Sequence, residues 1–272
     1  MEIPTLLYDQ AIAEHPEYQQ ISQVEMLGLI SKSFKEIAYF EKIGEADKNR
    51  MDIKPEILNN IGAIWIFSGP GTYDEPTKDD KYKSFPWARG MDRARLSHGA
   101  RIARMIAESK SGQMSSGSFA DIVERKRQTK QIIQDNGPEI IYNGTELENS
   151  TVSDVLSREG VIIPGGKVHL IGGEIKTTLD QVKTFQLPGK LGPDQELSIV
   201  SHAPQLLRII HMLNKYRPFP TGTKIRLFPV PTPQDGKTEY ARMEVSGVLR
   251  YVYIDKEATV EPYPYSVSSQ TD

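Results

Sequence analysis

Residues Ile61-Gly-Ala-Ile-Trp-Ile-Phe67 form one unbroken apolar run, rich in β-branched and aromatic side chains, and Ser68-Gly69-Pro70-Gly71 ends it at once. A strand with one wet face alternates apolar and polar residues. One that does not alternate is buried on both faces, as in a parallel sheet covered by helices. Shorter runs of the same kind recur at Glu139–Tyr142, Lys167–Ile171, Leu197–Val200 and Lys224–Phe228, each followed by turn-forming residues. Helical patterns separate them over 91–110, 118–134, 145–158, 176–186 and 203–217. A last helix over 237–253 puts Ala241, Val245, Val248 and Val252 on one face.

Parallel neighbours need crossover connections, and these are right-handed. The expected fold is therefore α/β, a Rossmann-like, doubly wound, mainly parallel sheet with helices on both faces, plus an N-terminal helical extension. The extension covers 1–60, packed on the core. Within it Leu27, Ile30, Phe34, Ile37 and Phe40 make an apolar stripe on a helix from about Ile21 to Ile43, with Ser31 and Ser33 free to face water. The α/β domain is expected over 61–256, and a loose tail over 257–272.

Composition narrows the function. The chain of 272 residues has no cysteine, which removes disulfides, thiolate metal sites and cysteine nucleophiles. A formal net charge of -3 argues against a nucleic-acid partner. The five histidines lack metal-binding spacing, so no metal site is expected. The acidic, proline-containing N-terminus does not read as a signal peptide, and no apolar run could span a membrane. A soluble, cytoplasmic protein of undetermined oligomeric state is expected.

Open α/β sheets bind ligands beyond the carboxyl ends of their strands, where turn amides and helix N-termini converge. Five places qualify. Gly69 and Gly71 follow the first strand and let backbone N–H groups approach an anion, though the same residues equally suit a plain turn. Neither the dinucleotide G-x-G-x-x-G pattern nor a P-loop is present. Arg95 continues the stripe of Gly99, Ile102 and Ile106, which requires a pocket or a carboxylate partner; Arg93, Arg101 and Arg104 lie on another face. Nine Lys/Arg against four Asp/Glu across 91–130 give a local excess of positive charge. Asn143, Gly144 and Thr145 turn the chain into a helix whose first turn carries Glu146 and Glu148, acids that also suit the helix dipole. Glu174 follows a double glycine, and Thr177 or Thr178 caps the next helix. Ser201 and His202 form a strand-to-helix turn before Pro204, with Gln205 and Arg208 on the first turns of the helix.

In this order, the loops resemble the ElyC/SanA/YdcF family, a Rossmann-like domain of unknown function, over about Ile61 to Pro231. The features similar to that family are the glycine-ended first strand followed by an Arg-containing helix, here Arg95, and the turns Asn143-Gly144-Thr145 and Gly160-Val161-Ile162-Ile163-Pro164. They continue with Glu174 followed by Thr177-Thr178-Leu179-Asp180-Gln181, and with Ser201-His202-Ala203-Pro204-Gln205-Leu206-Leu207-Arg208. The family's histidine is Gln205 here, its Ser-Gly-Gly is Asn-Gly-Thr, and both asparagines of the Asn-Thr-x-Glu-Asn motif are changed.

The resemblance implies a small anionic or nucleotide-type ligand, S-adenosylmethionine being one candidate cofactor. Arg95 and Arg208 would hold phosphate or carboxylate, while Thr178 and Ser201 would bond the ligand. Glu174 would act as acid or base in a transferase or phosphoester hydrolase. The alternative is a non-catalytic ligand-sensing or protein-interaction module, which the missing histidine favours.

Overall fold

The computed structural model describes residues 3–49, 53–69, 90–113, 122–146, 148–150, 152 and 163–268. Six strands, β1 (Ile61–Ile66), β2 (Glu139–Tyr142), β3 (Val168–Leu170), β4 (Glu196–His202), β5 (Lys224–Val230) and β6 (Ser266–Val267), make one all-parallel sheet in the order β3-β2-β1-β4-β5-β6. That is the Rossmann-like, doubly wound order. The winding direction reverses between β1 and β4, which pair from Ile61 opposite Glu196 to Ile66 opposite Val200.

Two compact units make up the chain, and each draws on several stretches of sequence. The first, 51–201 with 219–228 and 265–272, carries the sheet. Within it Ile61, Ala63, Ile64, Trp65, Ile66 and Phe67 are all buried, as the unbroken apolar run requires. Trp65 stacks on Phe67 and Phe185, with ring centroids 4.1 and 4.0 Å away. Helix α3 (Pro55–Asn60) leads into β1, and α4 (Met91–Ser111) and α5 (Ile122–Asn136) precede β2. The stripe of Arg95, Gly99, Ile102 and Ile106 is buried along α4. Gly99 is needed because a Cβ there would collide with the Ile66 side chain, so α4 lies hard against β1. The short α6 (Thr178–Thr184) follows β3.

At the β5 edge of this sheet the expected loose tail contributes a strand, since its residues 266–267 are β6. Arg226 on β5 explains why. Its Nε and Nη2 donate to Glu196 of β4 at 2.6 and 3.1 Å, and its Nη1 donates to the Val267 carbonyl at 2.9 Å. The Ser268 N–H completes the edge on the Leu227 carbonyl at 3.0 Å. A buried bidentate ion pair thus spans two strands and clamps a third.

The second unit, 1–50 with 202–218 and 229–264, is helical. It contains α1 (Ile3–Glu14), α2 (Gln23–Asn49), α7 (Ala203–Tyr216) and α8 (Lys237–Leu249), the last extended by a π turn over Arg250–Ile254. Ala241, Val245, Val248 and Val252 are buried on one face of that final segment, as expected. The buried stripe of α2 runs instead through Met26, Ile30, Ser33, Ile37, Phe40, Gly44 and Asp47. Ser33 is therefore buried rather than wet, because the helix is rotated so that Leu27 and Phe34 lie at the stripe's margin. Gly44 is tight: a Cβ would stand 2.9 Å from the Pro229 carbonyl oxygen. Among the described residues no helix is long and apolar enough to cross a membrane.

Candidate functional site

At the carboxyl ends of β1 and β2 the sheet unit gathers a buried polar network. Asp92, in the first turn of α4, is its hub. Arg95 Nη2 donates to its Oδ1 at 2.6 Å, the Gly69 N–H donates to the same oxygen at 3.2 Å, and the Tyr142 hydroxyl donates to Oδ2 at 2.7 Å. Arg95 is 0% exposed and Asp92 1%. The carboxylate partner demanded by an arginine on a core stripe is thus its own neighbour one turn back. A Cβ on Gly69 would lie 2.8 Å from Arg95 Nη1, so a side chain there would displace the guanidinium.

The β2 end folds into the same region. Asn143 is buried and bonded at both ends of its amide: Oδ1 accepts from Trp65 Nε1 at 2.8 Å, and Nδ2 donates to the Gln181 carbonyl at 2.6 Å. The Gly144 N–H is held by Asn149 Oδ1 at 3.0 Å, and Asn149 Nδ2 donates in turn to the Ile171 carbonyl. Thr145 and Glu148 form a capping box. The Glu148 N–H donates to Thr145 Oγ1 at 3.2 Å, and Glu148 Oε2 accepts from the Thr145 N–H at 2.7 Å. Burial, reinforced by the negative charge of Asp92, pushes the Glu148 carboxyl up to about 7. The same two causes hold the Tyr142 hydroxyl well above its ordinary range, so it remains a donor.

Helix α6 contributes from the β3 side. Thr177 is its N-cap, bonded to the Asp180 N–H in a second capping box, and so settles which threonine caps. Thr178 occupies the first helical position and is buried. Gln181, 4% exposed, donates through Nε2 to the Ser68 carbonyl at 3.2 Å and to Ser68 Oγ at 2.9 Å. The carbonyl can only accept, which fixes the amide's orientation. Gln181 Oε1 is left without a partner among the described residues. One turn along α4 from Arg95, His98 Nε2 is likewise enclosed without a partner among those residues, and burial followed by Arg101 lowers its imidazole to about 4.

The structure brings Gly69, Arg95, Asn143, Gly144 and Thr145 into one network, with Thr178 on the helix that carries Gln181. Gly71 and residues 160–162 lie outside the described residues. Glu174 has a side chain 94% exposed and, among the described residues, reaches only Lys176, at 4.0 Å. Ser201 and His202 are not a turn: β4 runs through both, and α7 begins at Ala203 with Pro204 in its first turn. In the helical unit Gln205 is buried on α7, and Arg208 Nε meets Glu244 Oε2 of α8 at 3.1 Å and lies over the Tyr251 ring.

Sequence reasoning missed Asp92, Tyr142 and Gln181. Asp92 had a signal, its i−3 spacing from a core-facing arginine. Gln181 had one in the resemblance, where it stands at the last position of the Asn-Thr-x-Glu-Asn motif, after Thr178 and Asp180. No protein-family model matches the chain, and no curated protein or solved structure is detectably similar to it.

Proposed function

We propose that this protein binds a small nucleotide-type ligand at the carboxyl ends of β1 and β2. The observation that carries the reading is Gln181 Oε1, a buried acceptor of fixed orientation with no partner among the described residues, beside the end of the strand where the sheet order turns back. A buried acceptor left unbonded costs about 1–3 kcal/mol, a cost that a donor on a ligand removes. A ribose hydroxyl or an exocyclic amine supplies such a donor as a neutral group, whereas the P–OH of a phosphate arrives only with negative charge, which favours S-adenosylmethionine and other nucleosides over simple anions.

The charges point the same way. Arg95 is neutralised by Asp92 and Arg208 by Glu244, so neither offers an uncompensated cation to a phosphate. The position of Glu174 in open solvent lends no support to its role as an acid or base, and the reading is one of binding rather than turnover. It is shared with the ElyC/SanA/YdcF resemblance, which implies a nucleotide-type ligand at these loops. The test is a thermal-shift panel of S-adenosylmethionine, ATP, a sugar nucleotide and inorganic phosphate on the wild type, Gln181→Leu and Arg208→Ala. Nucleosides should raise the midpoint of the wild type and of Arg208→Ala but not of Gln181→Leu, and phosphate should raise none. A rise kept in Gln181→Leu and lost in Arg208→Ala moves the site to α7.

A further inference from the structure

Gln181 is pinned through its main chain and its side chain. Its main-chain carbonyl accepts from Asn143 Nδ2 at 2.6 Å, and its Nε2 donates to the Ser68 carbonyl and to Ser68 Oγ at 3.2 and 2.9 Å. Turning the amide over would set Oε1 against that carbonyl, acceptor against acceptor, so Oε1 keeps its place and its lone pairs. Donors of the same network are committed to the protein's own oxygens. Trp65 Nε1 ends on Asn143 Oδ1, the Gly69 N–H and the Tyr142 hydroxyl on Asp92, the Gly144 N–H on Asn149 Oδ1, and the Thr145 N–H on Glu148 Oε2. What remains at Gln181, a residue 4% exposed, is an acceptor unbonded among the described residues.

We propose that Gln181 selects the exocyclic amine of a heteroaromatic ring, so that the ligand is an amino-nucleoside of the adenosine type. This rests on the nucleotide-type binding inferred above and names the ligand group that meets Gln181. A ring amine shares its lone pair with the ring and acts as a donor alone, the complement of a lone acceptor. A hydroxyl that donates to Oε1 buries an oxygen of its own, which then needs a donor. The N–H of a keto-nucleoside brings its carbonyl alongside, with the same cost. A phosphate brings oxygens and charge, and an alkyl ammonium brings a charge for which Gln181 offers no counter-ion.

The test is titration calorimetry of the full chain with adenosine, purine riboside (hydrogen in place of the amine), inosine, 2′-deoxyadenosine and 3′-deoxyadenosine. Adenosine should bind about 10- to 100-fold more tightly than purine riboside or inosine, the range set by a buried acceptor left unpaired. Both deoxyadenosines should match adenosine. Gln181→Met, which keeps the side chain's length and loses its oxygen, should bind adenosine and purine riboside alike. Equal wild-type affinity for adenosine and purine riboside, or a preference for adenosine retained in Gln181→Met, overturns the proposal and leaves nucleoside binding standing. Affinity lost with a ribose hydroxyl but kept in purine riboside assigns Gln181 to the sugar, and overturns it too. If none of these compounds binds, the underlying reading falls together with the proposal. The wild-type series decides the matter if Gln181→Met fails to fold.

Discussion

Among the described residues the sheet unit holds two buried arginines, Arg226 and Arg95, and they are satisfied differently. Arg226 spends three nitrogens on two Glu196 oxygens and the Val267 carbonyl, and that network is closed by strands on either side of it. Arg95 donates to the Asp92 carboxylate, and beside that pair stand Glu148, whose carboxyl burial pushes up to about 7, and an amide oxygen without a partner among the described residues. A closed ion pair welds strands together. A network with spare bonding capacity is what a ligand or a proton can use. The contrast separates scaffold from site more surely than charge does, since both clusters contain arginine and acid.

The largest effect is expected at the closed pair. Arg226→Ala leaves Glu196 buried without its cation and unclamps β6, and chemical denaturation should show a loss of about 3–5 kcal/mol. The double variant Arg226→Met with Glu196→Met should recover most of that loss, because the uncompensated charge is gone. Failure to recover would mean that the pair does more than neutralise itself. Next comes Gly99→Ala, where a Cβ is forced into Ile66 at the α4–β1 contact. Overpacking there should cost about 1–3 kcal/mol in the same assay. The smallest effect belongs to Thr177→Ala, which removes the α6 capping box and should cost about 1 kcal/mol. It should also weaken any ligand held by Gln181 on that helix, whereas Arg226→Met with Glu196→Met should leave such binding unchanged.

Much of the architecture was legible because periodicity reports burial. The unbroken run at Ile61–Phe67 meant a strand covered on both faces, and the stripe through Arg95 meant a core-facing helix side with a partner to find. The Thr177-x-x-Asp180 and Thr145-x-x-Glu148 spacings are capping boxes in form, yet only the fold shows that one is exposed and the other buried beside Asp92. What could not be read depends on contacts far apart in sequence. Arg226 and Glu196 are separated by 30 residues, and β6 is two residues long, too short for any pattern. Ser33 was misplaced because a small polar residue carries no weight in an apolar stripe. Gln181 is polar on a helix's buried side, a position that local rules assign to water.

The central claim is that the β1 and β2 ends are the open network and the Arg226 cluster the closed one. Titrating the isotope-labelled protein with S-adenosylmethionine and ATP while following its amide spectrum tests this directly. The account predicts movement of the Gly69 and Gly144 backbone amides and of the Gln181 side-chain amide, with the Arg226 and Ser268 signals still. Movement centred on His202 to Arg208, or none with either compound, would contradict it.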